Sequence, residues 1–258
     1  MNIYVLMKQV PVISDIKIDH RTFTVDRSTA GTMMNPVDAH AVSAAVALKK
    51  SLGGTVTVLS MGNESCEAQL RESAGMGADR LVRITDEAFS GADTLVTAKV
   101  LAAAVKHLGD ADCIFCGQAS LDGATGQIGA KLAALLNIGL LNCAAQIDID
   151  EKGLTIHQKA GKGYEIWQAD FPLVCSVTED ANELAPMTLK GKMAAKKAVI
   201  TLLSNADLNI APEALHSPSH IEALFPASRQ EVGMKITGTT EKESARKLAD
   251  ILFERHLV

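Results

Sequence analysis

The chain has 258 residues, 47% of them hydrophobic and 21% charged, a globular balance with enough apolar material for one large domain, with or without an extension. A formal net charge of −5 with no long Lys/Arg block excludes a nucleic-acid stripe, and no apolar run approaches the ~20 residues of a membrane span. Aromatic residues make up only 3%, so the core has to be built from Ala, Val, Leu and Ile.

Short apolar runs alternate with helical patterns along the chain. Residues 2–8 read as a first strand and not as a signal peptide, because Lys8 follows directly on a short apolar run. Residues 15–18 and 22–26 alternate in polarity around His20 and Arg21, which predicts a hairpin. Asn35 and Pro36 open a helix that runs to Lys50. Asn35 is placed to cap it, Pro36 suits its first position, and Ala41, Ala44, Ala45 and Leu48 form its apolar face. Gly53 and Gly54 end it. Next come a β-branched strand at 55–60, a helix over 65–76, a strand at 81–84, a periodic helix over 93–108 and a strand at 113–116. A Gly-rich loop then leads into a helix reaching Leu136. This β-α-β-α order predicts a parallel sheet with helices on both faces. After residue 140 the pattern changes. Residues 144–150, 155–159 and 164–169 read as antiparallel strands with turns at Lys152-Gly153 and Lys162-Gly163. A buried strand at 173–178 and a basic loop at 184–197 follow. From 199 onward the chain reads as irregular and polar up to a helix over 241–254, an arm that lies across the body or on a partner.

The five cysteines are Cys66, Cys113, Cys116, Cys143 and Cys175. An odd number without regular spacing predicts a reduced, cytoplasmic protein. Cys113 and Cys116 form a CxxC, but three residues apart in a strand their side chains point to opposite faces. Redox and zinc pairs need both sulfurs to converge, so this pair reads as structural. The histidines are scattered without metal spacing, and no metal is expected.

In an open parallel sheet a ligand sits at the carboxyl ends of the strands. Four segments fall there: Leu6, Met7 and Lys8; residues 35–38, with Asn35 and Asp38; residues 60–63, with Met61 and Gly62; and residues 117–129. The last contains Gln118, Ala119, Asp122, Gly123, Ala124, Thr125, Gly126, Gln127, Ile128 and Gly129. Its glycines let backbone amides approach an anion, and Gln118, Thr125 and Gln127 can hydrogen-bond a ribose or phosphate. An ordinary Gly-rich surface turn with a helix cap has the same composition, and Lys8 also reads as a solvated strand-end lysine. Neither GxxxxGK[ST] nor a GxGxxG after the first strand is present.

Several segments, in this order and spacing, resemble the beta subunits of electron-transfer flavoproteins. They are Lys8-Gln9-Val10-Pro11, Met34-Asn35-Pro36-Val37-Asp38, Ser60-Met61-Gly62, Ala74-Gly75-Met76-Gly77-Ala78-Asp79-Arg80, Gly117-Gln118-Ala119, the run from Asp122 to Gly129, and Met193-Ala194-Ala195-Lys196-Lys197. The resemblance departs from the family pattern at Gly117 and Ala124, where an Arg and a second acid are usual. It implies an α/β, parallel-sheet adenine-nucleotide-binding sandwich, like that of adenine nucleotide alpha hydrolases, with an antiparallel excursion and a C-terminal arm. The implied division is a nucleotide- or flavin-binding domain over 1–198 and an arm over 199–258 that packs on an alpha subunit. The alpha subunit carries a redox FAD, while the beta site holds FAD or, alternatively, a structural AMP.

Residues 86–97 resemble the branch that splits electron pairs from NADH, which favours FAD, with Thr94 and Thr97 at a helix start suited to diphosphate contacts. The adenine end is then expected near Leu6, Asn35 and Met61, and the diphosphate between Thr94 and the turn at 123–129. The resemblance to that branch implies that one electron goes through the alpha flavin and the other to a low-potential carrier such as ferredoxin or flavodoxin. The partner-recognition loop at 184–197 is implied to dock on a flavin-dependent dehydrogenase, such as an acyl-CoA dehydrogenase. Its apolar anchors are Leu189 and Met193, with Lys190, Lys192, Lys196 and Lys197 as a cationic rim. No residue is expected to be a covalent or acid–base catalyst; the chain positions a cofactor. An ATP-pyrophosphatase-like ligase would carry a Ser-Gly-Gly phosphate loop where this chain has Lys8-Gln9-Val10-Pro11.

Overall fold

A computed structural model describes residues 1–12, 17–19, 24–26, 31–219 and 233–257, with the backbone alone at 17–19 and 24–26. The chain divides into two compact units, Met1–Glu222 and Ala223–Val258. The first opens with β1 (Asn2–Leu6), β2 (Gln9–Pro11), β3 (Lys17–Asp19), β4 (Thr24–Asp26) and β5 (Thr32–Met34). Then follow α1 (Pro36–Leu52), β6 (Thr55–Met61), α2 (Glu67–Met76), β7 (Arg80–Ile84), α3 (Thr94–Leu108), β8 (Cys113–Gly117) and α4 (Ile128–Leu136). After these come β9 (Gly139–Ile149), β10 (Gly153–Ala160), β11 (Gly163–Asp170), β12 (Leu173–Val177), α5 (Leu189–Lys197), β13 (Ile200–Leu203) and α6 (Asn205–Leu208). The second unit holds α7 (Glu241–Glu254), whose start is capped by the Thr240 hydroxyl accepting from the Glu243 N–H.

Nine strands form one sheet in the order β11-β10-β9-β12-β8-β1-β6-β7-β13. The seven from β9 to β13 are mutually parallel, and β10 and β11 add on antiparallel. A parallel sheet is covered on both faces, so its strands are apolar on both sides. Ile3, Val5, Cys113 and Phe115 face one core, with Ala41, Val42, Ala45 and Leu48 of α1 and Leu70 of α2. Tyr4, Leu6, Ile114 and Cys116 face the other, with Val96, Val100 and Ala104 of α3 and Leu132 of α4. Each fully buried Val, Leu or Ile in these layers contributes roughly 1.5–3 kcal/mol. The alanines let the helices approach the sheet closely. Cys113 and Cys116 lie in different cores, as strand alternation requires, and burial pushes both thiols up.

From β1 the chain builds outward through β6 and β7 on one side, then returns to place β8 and β12 on the other. Strand order therefore reverses between β1 and β8, and a crevice opens beyond their carboxyl ends.

Four expectations are corrected. Asn35 precedes α1, but its side chain makes no cap bond; it is drawn instead to the loop after β8. The basic segment at 184–197 contains an α-helix, α5, over most of its length. Residues 200–203 are not part of an irregular tail. As β13 they pair in parallel with β7, because β7 has a free edge that Ile200–Leu203 can satisfy with backbone hydrogen bonds. The strand predicted from residue 144 begins at Gly139, pairing with β12 before it reaches β10. The predicted hairpin is present as β3 paired antiparallel with β4, and its turn lies outside the described residues.

Candidate functional site

A cleft of about 1250 Å³ lies over the strand-order reversal. Its floor is apolar: Leu6, Leu59, Met61 and Cys116 come from β1, β6 and β8. Its walls are the start of α1, the loop between β8 and α4, the start of α3, and residues 215–219.

The start of α1 ties the two central strands together. Asp38 is 5% exposed. One of its oxygens accepts the Lys8 N–H at 2.8 Å, after β1, and the other accepts the Gly117 N–H at 3.0 Å, at the end of β8. Burial pushes its carboxyl up to about 7, against the lowering effect of those N–H groups, of Asn35 and of the Lys8 charge. Gly117 has no room for a side chain, since a Cβ would collide with Asp38 Oδ1 and Val37. Asn35 holds the following loop at two points. Its Nδ2 donates to the Ala119 carbonyl at 3.0 Å and its Oδ1 accepts the Leu121 N–H at 3.1 Å. Lys8 reaches across to Asp122, with Nζ 2.7 and 2.8 Å from the two carboxylate oxygens. Burial works to raise the Asp122 pKa, but the Lys8 hydrogen bonds and charge prevail and hold it below the usual range.

The loop closes through Gly123, Ala124 and Gly126. Ala124 and Gly126 lie at positive φ, 48° and 62°. Gly126 adopts this region freely, while Ala124 does so at a cost. Gly123, Thr125, Gly126, Gln127 and Ile128 line the cleft as the chain enters α4. Gly129 does not; it lies against β8, where a Cβ would sit 3.0 Å from Cys116 Sγ. Gly62, Asp122 and Ala124 are also outside the lining, whereas Leu6, Lys8, Asn35, Asp38, Met61, Thr94, Thr97, Gln118 and Ala119 are within it.

The start of α3 faces the start of α4. Asp93 caps α3, its Oδ1 accepting the N–H groups of Leu95 and Val96, each at 2.9 Å. The Val96 bond foremost lowers its pKa against burial, with smaller help from Ser219, the Leu95 N–H and the Lys131 charge. Thr94 Oγ1 donates to Gln127 Oε1 at 3.0 Å and accepts from Lys131 Nζ at 2.6 Å. Two helix starts thus open on one cleft: that of α4 has no side-chain cap and keeps its first N–H groups free, while that of α3 is capped by Asp93 and presents the Thr94 hydroxyl.

Four contributors escaped the sequence reading. Asp93 and Lys131 carried a signal, because Asp93 is a capping type before a periodic helix and Lys131 is one turn from Gln127. Ser217 and Ser219 carried none. Ser217 Oγ accepts the Asp93 N–H at 3.0 Å and Ser219 Oγ donates to Asp93 Oδ2 at 2.9 Å, 124 and 126 residues away in sequence.

The predicted anchors Leu189 and Met193 lie one turn apart on α5, outside the cleft lining, 77% and 53% exposed. Among the described residues, no group of His, Cys, Asp and Glu is arranged to hold a metal ion, and no helix is long and apolar enough to cross a membrane.

Residues 22–208 match a family described as electron transfer flavoprotein domain. The chain is similar, at 34% identity over 100% of both chains, to the caffeyl-CoA reductase-Etf complex subunit CarD of Acetobacterium woodii. The same identity and coverage hold for an electron transfer flavoprotein subunit beta of Thermoanaerobacterium thermosaccharolyticum. An acryloyl-CoA reductase electron transfer subunit gamma of Anaerotignum propionicum is 32% identical, again over 100% of both chains.

Proposed function

Since this chain belongs to the electron transfer flavoprotein family as a beta-type subunit, we propose that its cleft holds FAD and that it works in a heterodimer with a flavin-carrying alpha subunit. The pair passes electrons between NADH or a flavin-dependent dehydrogenase or reductase and other carriers. Relatives named for caffeyl-CoA reductase and acryloyl-CoA reductase complexes favour a reductase-linked role.

One observation carries the FAD reading: the starts of α3 and α4, joined by the Thr94–Gln127 bond, open on a single cleft of about 1250 Å³. Ordinary small-molecule pockets span roughly 300–1,000 Å³. A mononucleotide would use one helix start and leave the other with little to bind. A dinucleotide has two phosphates to share between them.

The residues fit such a ligand. Leu6, Met61 and Leu59 give an apolar seat for the adenine end beside Asn35. The backbone amides of residues 125–128, which line the cleft, with Thr94, Thr97 and Gln127, are the groups that would hold the diphosphate. A flavin bound there supplies hydride acceptance from NADH and single-electron release, the chemistry of electron bifurcation, with ferredoxin or flavodoxin as the low-potential acceptor. The chain itself binds, orients and excludes water.

The test is a count of FAD and AMP per heterodimer after gentle purification and acid extraction. Two FAD and no AMP is the expected result. Thr94→Val combined with Thr97→Val should strip the beta flavin and leave the alpha flavin, since hydrogen bonds to a charged group contribute about 1.5–3 kcal/mol each. One FAD and one AMP overturns the reading in favour of a structural AMP and no redox centre in this chain.

A further inference from the structure

Four side chains with formal charge line the cleft: Lys8, Asp38, Asp93 and Lys131. Three are satisfied by the protein. Lys8 is paired with Asp122. Asp38 accepts two backbone N–H groups. Asp93 accepts two N–H groups and the Ser219 hydroxyl. Lys131 is different. Among the described residues its ammonium makes one hydrogen bond, to Thr94 Oγ1 at 2.6 Å, and has no carboxylate within ion-pair distance. An ammonium has three N–H donors, so two remain for something else.

The position is held on both sides. Lys131 is one turn into α4, and its backbone N–H donates to the Gln127 carbonyl at 3.0 Å. Thr94, at the first position of α3, accepts a hydrogen bond from the ammonium and donates its own hydroxyl hydrogen to Gln127 Oε1. The ammonium thus sits between two helix starts, in the lining of the cleft. The Asp93 carboxylate lies near enough to feel its charge but forms no ion pair with it, so an ammonium with two free donors facing the cleft is complementary to an anion. A mononucleotide seated beside Leu6 and Asn35 carries one phosphate, which the amides of residues 125–128 can satisfy; a second phosphate on the same nucleotide is what leaves work for the neighbouring ammonium.

We propose that Lys131 is the residue that reads the second phosphate of a nucleoside diphosphate moiety and so makes the cleft selective for a dinucleotide over AMP. This rests on the FAD reading of the same cleft. It adds a role for a side chain whose bond to Thr94 would otherwise only join two helices.

The probes are AMP and ADP, titrated by equilibrium dialysis into the heterodimer freed of its beta nucleotide. Wild type should bind ADP more tightly than AMP. Lys131→Gln should weaken ADP at least tenfold, about 1.4 kcal/mol, and leave AMP within about twofold. Lys131→Arg keeps the charge and should restore most of the ADP preference. The heterodimer should also lose beta FAD on purification in the Gln variant and keep it in the Arg variant. ADP and FAD binding unchanged in Lys131→Gln overturns the proposal while leaving the FAD reading intact. So does an equal loss of AMP and ADP together with a lowered melting temperature, which would make Lys131 a brace between α3 and α4. Wild type that carries AMP and binds ADP no better overturns the FAD reading itself, and the proposal with it.

Discussion

Asp38 shows how one side chain serves both fold and cleft. Its two oxygens bridge the end of β1 and the end of β8, the point where strand order reverses. Burial pushes its carboxyl up to about 7, while an unfolded aspartate titrates near ~3.9. The native state therefore holds the proton more tightly than the unfolded chain. Between about pH 4 and about pH 7 the native state carries more protons, so stability falls as pH rises through that window. The contribution is full below the unfolded value and lost above about 7. Asp38→Asn should remove this part of the slope. Denaturant midpoints measured across the window should differ from wild type by an amount that shrinks steadily with pH. At pH 5 the variant should be less stable by ~1–3 kcal/mol, because an amide offers one acceptor to two N–H donors. A constant difference across the window would show that Asp38 is not the titrating group.

At the scale of elements, α5 is the least expected feature and the one with the clearest packing reason. Its lysines give no apolar stripe, so its periodicity is hidden in the sequence. It forms because Thr188 caps it, with its hydroxyl accepting the Gly191 N–H at 3.1 Å, and because Gly191 lies directly on Gly75 of α2. A Cβ at Gly191 would collide with the Gly75 carbonyl, and one at Gly75 with Met187. Arg71 of α2 also donates to the Ala198 carbonyl just past the end of α5. This contact leaves Leu189 and Met193 side by side on the outer surface. On the docking role that the family resemblance implies for this segment, Leu189→Ala should slow electron transfer to a dehydrogenase by removing an anchor worth about 2 kcal/mol or more. Gly191→Ala should do so without touching the anchor, by lifting α5 from α2. Stopped-flow rates with the partner enzyme, alongside flavin content, check both. A variant that loses flavin but docks normally would show that α5 has another role.

For the whole molecule, the sheet is well buried at its centre and open at both ends. Tyr164, Ile166 and Trp167 on β11 and Leu202 on β13 are exposed, although aromatic side chains make up only 3% of this chain. Both end strands have one side unpaired among the described residues. Unpaired apolar edges favour association. In keeping with the proposed heterodimer, the chain expressed alone should aggregate or bind flavin poorly, and co-expression with the alpha subunit should restore a 1:1 complex. Size-exclusion chromatography with light scattering and flavin absorbance is the measurement. A monodisperse monomer with full flavin content would count against an obligate partnership.

The elements whose signal is local were legible in the sequence. The apolar runs of β1, β6 and β8, the periodic Ala and Val of α3, and the turns of β10 and β11 depend on neighbours two to four residues away. The Gly-rich loop after β8 was legible as well, because a parallel sheet sends every such loop to the same edge. The CxxC was read correctly for the same reason, since alternation alone puts Cys113 and Cys116 on opposite faces. Tertiary structure decided the rest. Asn35 had the composition of a cap, but two backbone groups at Ala119 and Leu121, far along the chain, compete for its amide and win. β13 is four residues long and half exposed, too short to show a period, and only the free edge of β7 makes it a strand. Asp93 meets Ser217 and Ser219, and Lys131 meets Thr94, only once the helices have packed on the sheet. Sequence spacing fixes which face of an element a side chain occupies; which distant partner it meets there depends on how the faces are brought together.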